Sequence, residues 1–290
     1  METLAQVVFS GLTMGCIYAL VALGFALTIA AAGIVNFAYG EWVTYGAFFG
    51  VTFAALGLPL WLALILTALA VASIGYGFQW LVFNPLEGRH FLVIVAATVG
   101  VALMMQHAAT IIWGPYPLSL PAFFGARVVE VGGVTIFLHS LLIIILTVGL
   151  IAVLHLAMTR TRIGLMLQAA AQDPDAARLM GIRLTRMRTL AYCVSAGLAG
   201  IAGFLVAPLF VATTTLGFVL MLKGFAATVL GGWGSLKGAV FGGITVGLVE
   251  ALGATYISSE YKDVIAFAII IAVLLARPRG LFPERIAEKL

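Results

Sequence analysis

From Ala5 to Ala31 the chain carries no charged side chain, and apolar runs of similar length recur almost to its C-terminus. A bilayer crossing needs about 20 such residues. Inside lipid each segment must satisfy its own backbone N–H and C=O groups, which a helix does unaided. The 290-residue chain is 63% hydrophobic and 9% charged, whereas soluble domains average roughly 25% charged residues. No soluble core could enclose that much apolar surface. The expected fold is therefore all-α: a polytopic transmembrane helix bundle of about 8–9 spans, some of them broken or re-entrant, in one transmembrane unit over 1–290. The N-terminus lacks a basic stretch, so the first run is expected to be a span and not a cleaved signal peptide.

Further runs are expected over 42–56, 60–83, 91–113, 134–158, 189–211, 216–231, 239–256 and 264–276, with a small surface hairpin near 128–134. Two glycine-dense stretches, 33–40 and 231–238, break the pattern. Gly11 and Gly15 match a small-xxx-small packing motif, a weak signal in a chain with 33 glycines. The first break holds Asn36 and Tyr39, with Glu41 just beyond it, and it has no basic flank. Such residues belong inside the protein, because irregular backbone at membrane depth survives only when buried or lining a cavity. Asn36, Tyr39 and Glu41, with Thr98 on the 91–113 run, are the candidates for a translocation path. Ionisable groups within spans are costly and functional by default. Glu41, Lys223 and Glu250 each have a plainer alternative, reaching an aqueous surface.

The longest polar interruption lies between residues 159 and 189. Arg160, Arg162, Arg178, Arg183, Arg186 and Arg188 fall there, against only Asp173 and Asp175. Within it Asp173 reads as a helix N-cap and Pro174 as the first helical residue, where a missing N–H costs nothing. Asp175 and Arg178 supply its charges, and Ala176, Ala177, Leu179 and Met180 give a short apolar face. Gly181 stands where a C-cap glycine belongs. A capped helix on a basic loop suggests a docking surface for a soluble partner; the plainer reading is an amphipathic helix resting on headgroups. This loop and the tail 277–290 hold ten of the fifteen basic residues, so both are expected on the cytoplasmic side.

No catalytic constellation is present. The chain has no GxxxxGK[ST] phosphate loop, no dinucleotide fingerprint and no workable Ser/His/Asp set. His107, His139 and His155 share no metal-like spacing. Cys16 and Cys193 read as packing residues within apolar runs. The basic residues sit at loop ends and form no aromatic-lined groove, which argues against nucleic acid. What remains is a channel, a secondary carrier, or the membrane part of a machine powered by another subunit.

Five blocks, in order, resemble one family. They are Gly11-Leu-Thr-Met-Gly15-Cys-Ile-Tyr18, Asn36-Phe37-Ala38-Tyr39-Gly40-Glu41, Asp175-Ala-Ala-Arg178-Leu-Met-Gly181, the block from Leu230 to Gly243, and Arg277-Pro278-Arg279-Gly280-Leu281-Phe282. Together they are similar to the LivH-type permeases of ABC importers for branched-chain amino acids and related solutes such as urea and short amides. In the second block Tyr39 stands where the family has histidine, so any role of that histidine does not carry over. The resemblance implies a single permease domain over 1–290 in the bacterial inner membrane. It also implies a second permease subunit of the LivM type, two cytoplasmic ABC ATPases of the LivG and LivF type, and an external solute-binding protein. The chain itself would hold no cofactor, with ATP and magnesium bound by the ATPases. Residues 173–181 would be the coupling element. The competing readings are a proton-coupled secondary transporter using Glu41 or Glu250, and a passive channel for a small neutral solute.

Overall fold

The computed structural model describes residues 2–131, 133–277 and 280–282. Of the tail expected in the cytoplasm, residues 278, 279 and 283–290 lie outside the described set. The chain is helical almost throughout. Its elements are α1 (Glu2–Ala32), α2 (Tyr39–Ala55), α3 (Leu60–Phe78), a π-helical turn (Gln79–Phe83), α4 (Asn84–Leu86), α5 (Phe91–Trp113), β1 (Val128–Val131), β2 (Val134–Phe137), α6 (Leu138–Arg160), α7 (Arg162–Gln172), α8 (Pro174–Leu179), α9 (Leu184–Phe210), α10 (Leu216–Gly231), α11 (Leu236–Tyr256) and α12 (Lys262–Ala276). Six helical segments, Thr3–Ala32, Leu60–Leu86, Phe91–Trp113, Leu138–Arg160, Leu184–Phe210 and Leu236–Tyr256, are long and apolar enough to cross a membrane. Helices α2, α10 and α12 are shorter, at 17, 16 and 15 residues. Eight to nine is thus an approximate count of spans, and the polytopic helical bundle is the observed architecture.

The described residues divide into two compact units. The first is drawn from Met1–Leu23, Pro121–Ile151 and Leu222–Glu284. Here the first part of α1 lies against α11 through small residues. A Cβ added to Gly15 would come within 2.9 Å of Ile244 Cα, and one on Gly11 within 2.9 Å of Ala251 Cβ. The weak motif is a real interface, because only glycine lets the two backbones approach this closely. The strands pair antiparallel with Val128 opposite Phe137 and Val131 opposite Val134, and Gly133, just before β2, has φ +82°. Gln6 closes this corner: its Nε2 donates to Thr135 O (2.9 Å) and its Oε1 accepts from Thr135 N (3.0 Å).

The second unit is drawn from Gly24–Leu120 and Ala152–Met221. Its centre is α2, buried along most of its length, between α3 and α9. Gly46 of α2 faces Gly200 of α9, and Gly203 of α9 lies on the Val43 carbonyl. An aromatic cluster fills the rest. The Trp42 ring sits 5.5 Å from Phe78 and 6.1 Å from Tyr192, and Phe78 stacks on Tyr192 at 5.7 Å. Gly203→Val should separate α2 from α9, since a Cβ there already approaches Ala47 N at 2.9 Å. The expected loss is at least the ~1–3 kcal/mol typical of overpacking, read as a lower thermal midpoint of the purified protein. Gly77→Val, where a Cβ meets nothing within 4 Å, should leave the midpoint unchanged.

Several boundaries depart from the sequence reading, and α9 begins at Leu184, inside the expected polar loop. Residues 134–137, expected as the start of a span, form β2, and the helix begins at Leu138. The segment 84–90, between two expected runs, is helical as far as Leu86, where it follows a π-helical turn over Gln79–Phe83. The second glycine break is only four residues long, 232–235, and Ser235 caps α11 by accepting from Gly238 N at 3.2 Å.

Candidate translocation and docking sites

The first break runs from Gly33, at φ +71°, to Ala38, and ends at the first residue of α2. Asn36 Oδ1 accepts from Ala38 N (3.0 Å), a local side-chain turn that aims the chain into the helix. Thr98, from α5, accepts from Phe37 N at 3.2 Å and donates to Val95 O at 2.8 Å. The structure thus brings Thr98 to the break. All four candidates are buried: Asn36 and Tyr39 at 1% and 0% exposure, Glu41 at 4%, Thr98 at 2%.

They do not point one way. Tyr39 turns toward α1, its ring 4.4 Å from Phe25 and its hydroxyl packed on Gly24. Ser195 lies near that hydroxyl, but the Ser195 hydroxyl donates to Gly24 O at 2.8 Å. Glu41 sits in the first turn of α2. Among the described residues, Asn36 Nδ2, the Tyr39 hydroxyl, Glu41 Oε2 and Trp42 Nε1 have no hydrogen-bond partner. Each such buried group costs about 1–3 kcal/mol. Four of them within seven residues set this segment apart from an ordinary helix interior. Trp42, which the sequence reading does not single out, belongs to this set.

The polar loop resolves into two helices. Helix α7 was not anticipated. Thr161 caps it by accepting from Gly164 N (3.0 Å), and Gly164 lies directly against the Ala157–Met158 backbone. Helix α8 matches the reading closely. Asp173 Oδ1 accepts from Asp175 N (3.0 Å) and Ala176 N (3.1 Å). At the other end Ile182 N donates to Ala177 O and Gly181 N to Arg178 O, both at 3.0 Å, with Gly181 at φ +82°. That double bond is the Schellman arrangement. The apolar face splits, however. Ala177 is turned inward at 4% exposure, while Leu179 and Met180 stand out at 89% and 84%. Two large apolar side chains thus stand exposed on a capped turn beside exposed arginines.

In the other unit the structure joins residues that the sequence left separate. Lys223 Nζ lies 2.6 Å from Glu250 Oε1, 2.8 Å from Asp263 Oδ1 and 3.2 Å from the Tyr18 hydroxyl. Tyr18 in turn donates to Glu250 Oε2 at 2.7 Å. Lys223 and Glu250 are 6% and 8% exposed. Both are buried in this chain and each is neutralised by the other, while Lys223 also reaches the half-exposed Asp263. Cys16 and Cys193 are unpaired. Among the described residues no group of three His, Cys, Asp or Glu side chains could hold a metal ion.

Residues 7–274 match the family described as branched-chain amino acid transport system / permease component. The chain is 32% identical to the high-affinity branched-chain amino acid transport system permease protein BraD of Pseudomonas aeruginosa, over 98% of this chain and 97% of that one. It is 31% identical to LivH of Escherichia coli over the same shares. Similarity to LivM of Escherichia coli is lower, 27% over 93% of this chain and 69% of that protein.

Proposed function

The chain belongs to the family of branched-chain amino acid transport permease components, and on that premise we propose how it works as one. It is the permease subunit of an ABC importer for branched-chain amino acids or a related small solute. It forms the membrane passage and leaves ATP hydrolysis to separate ATPase subunits. A second, LivM-type permease chain completes the passage, two ATPases dock from the cytoplasm, and an external binding protein delivers the solute. The family match over residues 7–274 is the observation that carries this reading. The test is uptake of labelled leucine into proteoliposomes holding both permeases, both ATPases and the binding protein. Accumulation should require internal ATP. Accumulation on a proton gradient, with the ATPases left out, would sink the reading in favour of a secondary transporter.

Asp173 to Gly181 is the element that receives the ATPases. Supporting this are the caps that rigidify α8 and the outward Leu179 and Met180. The loop 159–189 faces the cytoplasm, as its arginines favour. The Gln6–Thr135 bonds put the N-terminus beside the hairpin, which supports an external N-terminus if residues 114–133 are outside.

The solute passes along the break that holds Asn36, Tyr39, Glu41 and Thr98. The unpartnered polar atoms there support that route. Thr98→Val removes the acceptor for Phe37 N and leaves a half-buried donor unpaired. Uptake is expected to fall at least fivefold while ATPase co-purification stays at the wild-type level. Undiminished uptake would move the path elsewhere.

A further inference from the structure

Glu87 follows α4, at the end of the helix that passes through the π turn and Pro85. Its Oε1 accepts from Arg188 Nη1 of α9 and lies 3.7 Å from Arg178 Nη2 of α8. One carboxylate oxygen therefore holds arginines from two different helices. Arg188 is anchored further. Its Nε donates to Ala31 O (3.3 Å) in the last turn of α1, and its guanidinium lies over the Phe83 ring at 5.7 Å. Ala31 stands two residues before Gly33, where the first break begins.

The two arms differ in strength. The Arg188 side chain is 15% exposed and has three partners; the Arg178 side chain is 58% exposed. Arg178 also has a second acid within reach, Asp175 Oδ1 at 4.0 Å. An exposed pair at such distances is worth about 0–1 kcal/mol, so Arg178 can exchange partners freely. The joint is fixed on the membrane side and loose on the α8 side. A small cavity lined by Ala31, Leu167, Ala170, Leu184, Met187 and Arg188 adjoins it.

We propose that Glu87 is a positioning residue for transport, passing displacement of α8 through Arg188 to the end of α1 and the break at Gly33. This rests on α8 being the ATPase-docking helix. Coupling of this kind needs a physical element that both sites bias, and Glu87, in contact with Arg178 of α8 and Arg188 of α9, lies between the two.

The test uses the complete importer in proteoliposomes and reads solute taken up per ATP hydrolysed. Glu87→Gln keeps an acceptor for Arg188 but removes the charge. It should retain both ATPases on co-purification and a near-wild-type thermal midpoint, while uptake per ATP falls at least fivefold. Glu87→Asp, which keeps the charge, should recover at least half of the wild-type ratio. A wild-type ratio in Glu87→Gln overturns the proposal. Loss of the ATPases from that variant also overturns it, because Glu87 would then belong to docking itself. Failure of the docking premise would show differently: the ATPases would still co-purify after Leu179 and Met180 were replaced by aspartate.

Discussion

Replacing Leu179 and Met180 together by aspartate is expected to abolish binding of the ATPase subunits, lowering their co-purification with the permease at least tenfold. The two side chains are 89% and 84% exposed, so the change removes no internal contact. The turn that carries them is held by the Asp173 cap at one end and by the Gly181 and Ile182 N–H groups at the other. The isolated permease should therefore keep its expression, its membrane insertion and its thermal midpoint. The free energy at stake is that of a hot spot: one or two central apolar anchors commonly account for 2 kcal/mol or more of a complex each, and a charge in their place must also be desolvated. Ala177 is the wrong residue for this experiment, although the sequence puts it on the same face. At 4% exposure it packs beneath α8, and aspartate there would test folding. Full retention of the ATPases by the double variant would show that α8 is not the docking element.

The contrast between Ala177 and Leu179 illustrates what could be read from sequence. The limits of α8 were legible because a cap is a local event: Asp173-Pro174 and Gly181 fix the backbone within a few residues whatever surrounds them. Which side of so short a helix faces inward depends on α7 and α9, which the local pattern does not contain. Helix α7 left a signal in Thr161, an N-cap, and in Gly164 and Leu167 three residues apart on its buried side. The density of arginines around it drew the reading toward a loop. Strand β2 was hidden for the opposite reason, since Val134 to Phe137 continue without a break into the apolar α6. Periodicity cannot divide a run that is apolar throughout. At the break, the burial of Asn36, Tyr39 and Glu41 followed from lipid on either side, but the arrival of Thr98 sixty-one residues on did not.

Lys223 and Glu250 show the same limit with more energy involved, and they give the second large expected effect. Lys223→Met should destabilise the protein by about 3–5 kcal/mol, the usual result of removing one partner of a buried pair. Glu250, 8% exposed, would keep only the Tyr18 hydroxyl at 2.7 Å and a distant Lys262 at 3.9 Å. Asp263→Asn should cost far less, because the Asp263 side chain is 49% exposed and Lys223 would still hold Glu250. The comparison decides what the cluster is for. A buried pair is weak evidence of net stabilisation, since apolar residues of similar volume often replace it without loss. Lys223→Met combined with Glu250→Leu and Tyr18→Phe should thus recover most of the thermal midpoint lost by Lys223→Met alone. If leucine uptake recovers in step, the cluster is a clasp joining α1, α10, α11 and α12. If the fold recovers while uptake stays low, the charges themselves take part in transport, as buried ionisable groups in membrane helices commonly do.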